Sequence, residues 1–412
     1  MRNREFSGFD IDTVTDAVRQ PPLGDLRNAA RSRRQRRMVG MGLAVVLALA
    51  GAGTTFLPTG DSSQGLQVAG PDPTRPATQA RTSILVVLSD RTAVAVEEAE
   101  GGCKISFAAT TDAGRSWSDW QSARYNGTCT TTVDAKGLGA TDVRYSVLSE
   151  RSYLVRFDDQ WVLTTDTGRT WQSANTAITA VPAFPKNAQP VTCQQGCGAI
   201  TQPLAVDPAS GRVFRLTGQP PSPYPPYSIY ESPDGAIWNT YWPGDGQPAV
   251  VARSADRGAT WRTSRAPEKT TAIGVAAVSA QEAYLLTEPL PAGPNGTPAS
   301  GPSRLLRTTN GGQSWEDVGT DLPTSDAVRL FTIGSNGSLM LLDTEALTGY
   351  VMMSQDGGRH FTKGKEQHGV GGVGANPGRA WLYGRDDQSI DGADQVQLTT
   401  DGSTWTRLPL PD

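Results

Sequence analysis

The sequence predicts an all-β protein, a β-propeller of six, possibly seven, four-stranded blades that is preceded by one transmembrane helix. Three observations predict the propeller: a recurring eight-residue segment, the spacing of its copies, and a total of 74 glycines and prolines (45 and 29) among 412 residues. Such a composition favours many turns and few helices. The copies are 110–117 (TTDAGRSW), 164–171 (TTDTGRTW), 254–261 (SADRGATW), 308–315 (TTNGGQSW) and 354–361 (SQDGGRHF), with shorter versions at 232–238 (SPDGAIW) and 399–405 (TTDGSTW).

The spacing of the copies sets the size of the repeating unit. Successive copies start 54 (110 to 164), 90 (164 to 254), 54 (254 to 308), 46 (308 to 354) and 45 (354 to 399) residues apart. Steps near 50 residues fit a four-stranded propeller blade. The step of 90 is one blade with an insertion or two blades. We favour six blades with residues 218–250 as the insertion, whereas a turn at Asp207 acting as a degenerate copy would give seven.

Each copy follows a run with strand character and ends in an aromatic residue, so we interpret it as the long turn of a β-hairpin. The Ser or Thr hydroxyl and the Asp carboxylate hydrogen-bond turn amides, and the glycine supplies a backbone position with positive φ. The aromatic ring starts the returning strand and is expected to bury roughly 150–250 Å² against its own sheet. The residues given this structural role are Asp112, Gly114, Trp117, Asp166, Gly168, Trp171, Asp256, Gly258, Trp261, Asn310, Gly312, Trp315, Asp356, Gly358, Phe361, Asp401 and Trp405.

The repeated segment resembles the Asp-box, or BNR, repeat: Ser/Thr-x-Asp-x-Gly-x-Thr/Ser-Trp/Phe. That repeat occurs in the β-propellers of sialidases, sortilin-type receptors, photosystem-assembly factors and some glucanases. The resemblance covers residues 82–412 and implies a propeller in which each copy is a structural turn at the rim. It implies no single activity, because the family uses the segment as a turn.

The N-terminal region predicts a membrane anchor. Residues 1–37 hold nine arginines against five acidic residues, and residues 38–57 (MVGMGLAVVLALAGAGTTFL) carry no charge. Twenty residues of helix span roughly 30 Å, the thickness of a hydrocarbon core. Arginines before the span place the N-terminus in the cytoplasm and the propeller outside the cell membrane. A cleaved signal peptide ending near 48–50 is the alternative.

These boundaries divide the chain into four parts: a basic tail (1–37), a transmembrane helix (38–57), a Pro/Gly/Ser linker (58–81) and the extracytoplasmic propeller (82–412). The expected partners are the lipid bilayer and an extracellular glycan or protein. The arginine cluster at 31–37 is interpreted as a topology signal, so no nucleic-acid partner is expected.

Four cysteines in an exported domain predict disulfides. Cys103 and Cys129 flank the hairpin of the first copy, and we expect them to pair. Cys193 and Cys197 close a short loop. We expect no metal site, because the chain has only two histidines, neither near a cysteine.

The sequence favours a non-catalytic binding or scaffold module, with a divergent sialidase or other glycoside hydrolase as the alternative. A sialidase needs three convergent arginines, a Tyr–Glu pair and an acid, and its Phe/Tyr-Arg-Ile-Pro motif is not matched at 154–157 or 214–216. The glycine run 369–374 (GVGGVG) lacks a strand-to-helix context, so no cofactor is expected. The candidate ligand patch comprises Tyr224 and Tyr227 of the tract 220–227 (PPSPYPPY), and Trp238, Tyr241 and Trp242 after it. A rigid surface loop that covers part of the propeller is the alternative interpretation of this tract.

Overall fold

A computed structural model gives the architecture of most of the predicted propeller. The residues that it describes are 84–98, 104–126, 132–133, 139–140, 143–157, 160–194, 196–218, 222–243, 247–267, 270–289, 302–323, 330–345, 348–368, 370–384 and 395–411. The predicted tail, transmembrane span and linker lie outside these ranges.

The described residues form seven four-stranded sheets, which we number as blades 1 to 7 in chain order. The strands of blade 1 and a small hairpin after it are β1 (Ile84–Val87), β2 (Ala93–Glu98), β3 (Lys104–Thr110), β4 (Arg124–Asn126), β5 (Thr132–Val133) and β6 (Gly139–Ala140). Blade 2, a one-turn helix and blade 3 are β7 (Val143–Val147), β8 (Tyr153–Phe157), β9 (Gln160–Thr164), β10 (Gln172–Ser173), α1 (Ala174–Ala177), β11 (Thr179–Val181), β12 (Gln189–Pro190), β13 (Leu204–Val206) and β14 (Val213–Leu216).

In blades 4 to 7 the four strands lie side by side in chain order, as in blades 1 and 2. Blades 4 and 5 are β15 (Pro226–Glu231), β16 (Ile237–Tyr241), β17 (Val250–Ser254), β18 (Arg262–Arg265), β19 (Thr270–Ala277), β20 (Ala283–Pro289), β21 (Arg304–Thr308) and β22 (Glu316–Asp317). Blades 6 and 7 are β23 (Leu330–Ile333), β24 (Leu339–Glu345), β25 (Thr348–Ser354), β26 (Thr362–His368), β27 (Val370–Asn376), β28 (Arg379–Gly384), β29 (Gln395–Thr399) and β30 (Thr406–Pro409).

The middle strands are buried on both faces because each blade packs between two neighbours. Met340, Leu341 and Leu342 in β24 are all fully buried, although consecutive residues point to opposite faces of a strand. A continuous apolar run is therefore the sequence signature of these strands, in place of alternating apolar and polar residues.

The first strands of blades 4 to 7 contact one another in turn, and β1 contacts β27. Hydrogen bonds link blade 2 to blade 1, blade 2 to blade 3 and blade 4 to the β11–β12 segment of blade 3, so the sheets form a closed ring. Two side chains of blade 7 seal the closure. The Asn376 Nδ2 donates to the Val87 carbonyl at 2.8 Å, and the Arg379 Nη1 donates to the Leu88 carbonyl at 2.9 Å.

The ring has seven blades, which corrects the favoured count of six. Residues 218–250 are not an insertion, because β15 and β16 are the first two strands of blade 4. The 90-residue step therefore contains the start of blade 4 and the whole of blade 3. Blade 3 was hidden because no full copy of the repeated segment lies between 171 and 254.

Blade 3 is irregular in topology. Its sheet order is β12-β13-β14-β11, and its outermost strand β11 precedes the other three and runs parallel to β14. The turn between β13 and β14 lies beside the β7–β8 turn of blade 2, where the Ser152 Oγ donates to the Gly211 carbonyl at 3.0 Å. In every other blade the turn on that side joins the first and second strands. In blade 3 it joins the second and third, so β12, β13 and β14 run opposite to the strands in the same positions of the other blades.

The predicted cell-membrane localisation is corrected. In the described part of the chain, no helix has the length and apolar character needed to cross a bilayer. The only helix among those residues, α1, has four residues. The segment 38–57, on which the localisation was predicted, lies outside the described residues.

The glycine-rich run in blade 7 has a packing role. Gly372 pairs with Tyr383 and Gly374 with Trp381 across β27 and β28. A Cβ on Gly372 would lie 2.3 Å from the Tyr383 hydroxyl, and one on Gly374 would lie 2.1 Å from the Trp381 ring. Only glycine leaves room for the two rings to fold over β27.

Candidate functional site

The five full copies of the recurring segment and the short copy at 399–405, which we call the repeated turns, join the third and fourth strands of blades 1, 2, 4, 5, 6 and 7. In the first of them, the Thr110 Oγ1 donates to Asp112 Oδ1 at 2.9 Å and accepts from the Gly114 amide at 3.0 Å. The Ser116 amide donates to Asp112 Oδ1 at 2.9 Å, and the Ser116 Oγ donates to Asp112 Oδ2 at 2.6 Å. The carboxylate therefore closes the turn by accepting bonds from both of its ends.

These bonds occupy the carboxylates of the repeated turns. They lower the pKa of Asp112 to about 2, with the Ser116 hydroxyl as the largest cause. Asp356 accepts from the His360 amide at 3.1 Å and from its ring at 2.6 Å, and the His360 side chain is the largest cause of a strongly lowered Asp356 pKa. A carboxylate held in this way is a poor general acid or base, so the geometry favours a structural role for these two carboxylates.

Two consecutive left-handed residues make each of the five full-length turns, whereas the sequence predicted one. Gly114 has φ 78°, and the preceding Ala113 has φ 65°. Thr167 and Arg257 occupy the position of Ala113 with φ 62° and 59°. The strain of a side chain in this region is offset by the hydrogen bonds that fix the turn.

The aromatic residues of the repeated turns reach the preceding blade, which corrects the expectation that they pack on their own sheet. The Trp117 Nε1 donates to the Pro409 carbonyl of blade 7 at 3.0 Å, and the Trp171 Nε1 donates to the Arg124 carbonyl of blade 1 at 2.8 Å. The Trp315 Nε1 donates to Ser264 Oγ of blade 4 at 3.3 Å. The repeated turns therefore stabilise the seams between blades.

The remaining predicted turn residues occupy the same positions in their own blades: Gly168, Asp166, Asp256, Gly258, Trp261, Asn310, Gly312, Gly358, Phe361, Asp401 and Trp405. The short version at 232–238 differs, because it joins the first and second strands of blade 4. Its Asp234 Oδ2 accepts from the Ala280 amide of blade 5 at 2.8 Å, so it too links neighbouring blades.

The two faces of the ring differ. The repeated turns bond to the first-to-second-strand turns, as in the 2.8 Å bond from the Ala113 amide to the Arg91 carbonyl, and we call this side the turn face. Second strands of the regular blades end on the other side, which we call the loop face. Glu98, Trp242 and Tyr383 lie at or next to the ends of β2, β16 and β28, so all three belong to the loop face.

Residues 192–198, which we call the central loop, enter the middle of the ring. The predicted disulfide between Cys193 and Cys197 is present, with Cα atoms 5.3 Å apart. Cys193 also forms an isolated β-bridge with Ile229. The Ile229 amide donates to the Cys193 carbonyl at 2.8 Å, and the Cys193 amide donates to the Ile229 carbonyl at 3.0 Å. Gln195 lies outside the described residues, as does the predicted Cys103–Cys129 pair.

The central loop contacts inner strands on opposite sides of the ring. The Gln194 side chain pairs with the Phe331 backbone of blade 6, accepting from its amide at 2.9 Å and donating to its carbonyl at 2.8 Å. The Ser146 Oγ of blade 2 donates to the Cys197 carbonyl at 2.9 Å. The Thr192 hydroxyl contacts Asn376 of blade 7 at 3.4 Å. One loop therefore ties blades 2, 4, 6 and 7 together across the axis.

The predicted aromatic patch splits into two groups. Trp238 and Tyr241 are 0% and 2% exposed and belong to the blade core, so the prediction that they meet a ligand is corrected. Their place on the fully buried strand β16 accounts for the difference. Tyr224, Tyr227 and Trp242 are partly exposed, and the rings of Tyr227 and Trp242 meet edge to face with centroids 6.2 Å apart.

A bond from the central loop positions the Tyr227–Trp242 pair. The Gly196 amide donates to the Tyr227 carbonyl at 2.7 Å. The pair also stands at two fixed points of blade 4, because Tyr227 is in the first strand and Trp242 directly follows the second. The loop face of blade 4 therefore carries a pair of packed aromatic rings next to the central loop, which we call the aromatic platform.

A cluster of phenol and carboxyl groups also lies on the loop face. The Tyr145 hydroxyl of blade 2 donates to Glu98 Oε1 of blade 1 at 2.6 Å. Burial, and after it Glu98, raises the pKa of Tyr145 well above its ordinary value, and Tyr383 is close enough to add to the shift. Burial raises the pKa of Tyr383 to about 12. Such perturbed groups favour a functional site.

Sequence reasoning missed Gln194, Tyr145 and Glu98, because they are far apart in the chain and belong to no motif. The two cysteines that flank Gln194 were the one available signal. Within the described residues, no group of three or more His, Cys, Asp and Glu side chains is placed to hold a metal ion.

No family model matches the chain, and no curated protein matches it. Among solved structures, it is similar to the GH74 xyloglucanase of Xanthomonas campestris, with 14% identity, a TM-score of 0.35, and coverage of 78% of this chain and 45% of that one. It is similar to YCF48 bound to D1 peptide, with 16% identity, a TM-score of 0.30, and coverage of 80% and 83%. It is similar to Trypanosoma rangeli sialidase, with 18% identity, a TM-score of 0.29, and coverage of 43% and 36%.

The likeness to these structures concerns the fold alone. The chain spans less than half the length of the xyloglucanase that it matches.

Proposed function

We propose that the propeller, residues 82–412, is a non-catalytic binding module whose ligand is a glycan held on the loop face. The observation that carries the proposal is the partly exposed Tyr227–Trp242 pair, in which the Gly196 amide of the central loop holds the Tyr227 backbone. A protein ligand on the same platform is the other partner class predicted from the sequence.

The chemistry of the pair suits a sugar. Aromatic side chains offer a large apolar surface with a polar edge, as a sugar ring does, and they dominate the energetics of shallow binding sites. Because the two rings already pack against each other and the central loop holds the Tyr227 backbone, we expect binding to order few side chains and to lose little affinity to entropy.

A glycan array probed with the full-length chain tests the proposal. We expect the wild-type protein to retain a defined set of oligosaccharides and Trp242→Ala and Tyr227→Ala to lose them. Trp161→Ala is the matched control, because Trp161 is a partly exposed tryptophan on the third strand of blade 2. Retention of the same glycans by Trp242→Ala would refute the platform.

Glycoside hydrolysis of sialidase type is the second candidate, and the Tyr145–Glu98 pair favours it. A tyrosine that donates to a glutamate at 2.6 Å can pass its proton to that carboxylate and attack the anomeric carbon of a glycoside through its phenol oxygen, while the bond to the leaving oxygen breaks and the departing alcohol takes a proton from water. Release of sugar from a sialoside or another glycoside by the wild-type chain, and its loss in Tyr145→Phe, would establish this activity and overturn the non-catalytic assignment.

A further inference from the structure

The seam between blades 4 and 5 encloses a buried positive charge. Arg253 in β17 is 8% exposed and makes one hydrogen bond among the described residues, from Nη1 to the Ala280 carbonyl. Its Nε is buried and has no hydrogen-bond partner. A buried guanidinium normally satisfies several of its five donors, so this arrangement is costly without a counter-ion.

A cavity of ≈ 30 Å³ adjoins this guanidinium. Its lining includes Arg253, Arg262, Ser264, Gly312, Gln313 and the edge of the Trp238 ring. A space of this size holds one or two water-sized groups and no sugar ring. Its contents are therefore limited to water, a small ion or the tip of one side chain.

The polar groups around the cavity are mostly donors. Arg262 stands directly opposite Arg253 in the β17–β18 register, so the two side chains share one face of the sheet. The Ser264 Oγ accepts from the Trp315 Nε1 at 3.3 Å, which leaves its own proton free to point elsewhere. Two guanidinium groups and a hydroxyl donor form a site for an acceptor.

The nearby carboxylates do not fill this role. Asp234 and Asp256 both favour the charged form of Arg253, while burial, followed by Arg262, lowers its pKa. Asp234 accepts bonds from Ser232 and Ala280, and Asp256 accepts bonds from Ser254 and Thr260. Both carboxylates are therefore occupied by other donors, and neither shows a hydrogen bond to Arg253.

We propose that this cavity is a binding site for one small monovalent anion, a halide ion or a single carboxylate group, which Arg253, Arg262 and Ser264 hold at the seam of blades 4 and 5. The anion would complete the hydrogen bonding of Arg253 and neutralise the Arg253–Arg262 repulsion. The anion would link blade 5 to blade 4, because Gly312 and Gln313 belong to blade 5 and the two arginines belong to blade 4.

Thermal unfolding of the full-length chain at constant ionic strength tests this proposal. The starting buffer contains the sodium salt of a bulky sulfonate that cannot enter the cavity. It is replaced stepwise by sodium chloride in one titration and by sodium acetate in the other. We expect a saturable rise in Tm, because an anion at ten times its Kd raises the folded-to-unfolded ratio about 11-fold. Saturation by chloride alone assigns an inorganic ion, and saturation by acetate assigns a carboxylate.

Arg262→Gln is the informative variant, since Arg262 is exposed and its loss leaves the buried Arg253 in place. We expect it to weaken the saturable response at least tenfold in anion concentration, and Arg253→Gln to abolish it. Arg265→Gln, on the same strand and also exposed, should respond like the wild type. No saturable response to either anion, or an identical response in Arg262→Gln and wild type, would overturn the proposal.

Discussion

The indole of Trp117 donates a hydrogen bond of 3.0 Å to the carbonyl of Pro409, 292 residues later in the chain. Trp117 ends the repeated turn of blade 1, and Pro409 ends the last strand of blade 7. The bond therefore joins the two ends of the ring. Trp171 makes the same type of bond from blade 2 to blade 1, so the closure reuses a device that operates at ordinary seams.

Removing this indole donor should weaken the ring. We expect Trp117→Phe to lower the free energy of unfolding by about 1 kcal/mol more than Trp261→Phe does, the contribution of one hydrogen bond. Trp261 is the matched control, because its buried Nε1 has no partner in the described residues. Denaturant unfolding of both variants measures the difference, and equal losses would show that the bond contributes nothing.

The glycines of the repeated turns are constrained by the neighbouring blade as well as by φ. A Cβ on Gly114 would lie 2.7 Å from the Pro409 carbonyl oxygen, whereas one on Gly235 would meet nothing within 4 Å. Both residues are left-handed, at φ 78° and 82°. Gly235→Ala should therefore cost about 1–2 kcal/mol of backbone strain, and Gly114→Ala about 1–3 kcal/mol more. Equal losses in denaturant unfolding would contradict the close approach of blades 7 and 1.

The carboxylate at Asp112 should make the protein acid-sensitive. Its folded pKa of about 2 lies below the ordinary 3.8, so its contribution to stability is complete above pH 3.8 and is lost as the pH falls through 2. Asp112→Asn should retain the turn at neutral pH, since Asn310 closes the turn of blade 5 with a 2.8 Å bond from its Nδ2 to Ser314.

Unfolding midpoints measured from pH 5 to pH 2 test this expectation. The wild type should lose more stability over this interval than Asp112→Asn does. The reciprocal change, Asn310→Asp, should add acid sensitivity in the same interval. Parallel curves for all three proteins would show that these side chains do not couple to folding.

The Gln194 side chain should stabilise the centre of the ring. Its removal in Gln194→Ala leaves the amide and carbonyl of Phe331 without their partner, which should cost about 1–3 kcal/mol. Gln194→Glu keeps the acceptor for the Phe331 amide but places a carboxylate oxygen against the Phe331 carbonyl. At pH 7 we expect this variant to be as unstable as Gln194→Ala, and we expect part of its stability to return when the carboxylate is protonated. Gln121→Ala, an exposed control, should unfold like the wild type. No loss in Gln194→Ala would mean that the central loop is not held by Phe331.

The sequence was sufficient to predict the all-β class and the position of the turns, because Thr110, Asp112 and Gly114 interact within five residues of chain. The sequence did not predict blade 3, because the strand that comes first in the chain, β11, is the outermost strand of its sheet and the other three strands run in the reverse direction. The residues of a local turn contain no information on such a change in strand order. The Asp207 turn also retains only fragments of the repeated pattern.

The candidate site was harder to predict, since burial decides which aromatic residues are available. Trp238 and Trp242 are four residues apart, yet one is in the core and the other on the loop face, because β16 ends at Tyr241 between them. The Tyr145–Glu98 pair joins residues 47 positions apart in different blades. Only the ring geometry brings such residues together.

The most direct test of the proposed function is hydrogen–deuterium exchange of the full-length chain with and without an oligosaccharide that the wild type retains on the array. We expect slowed exchange at residues 222–243 and in the central loop, and unchanged exchange in the repeated turns. Protection of the repeated turns instead of the loop face, or the absence of any retained glycan, would contradict the account.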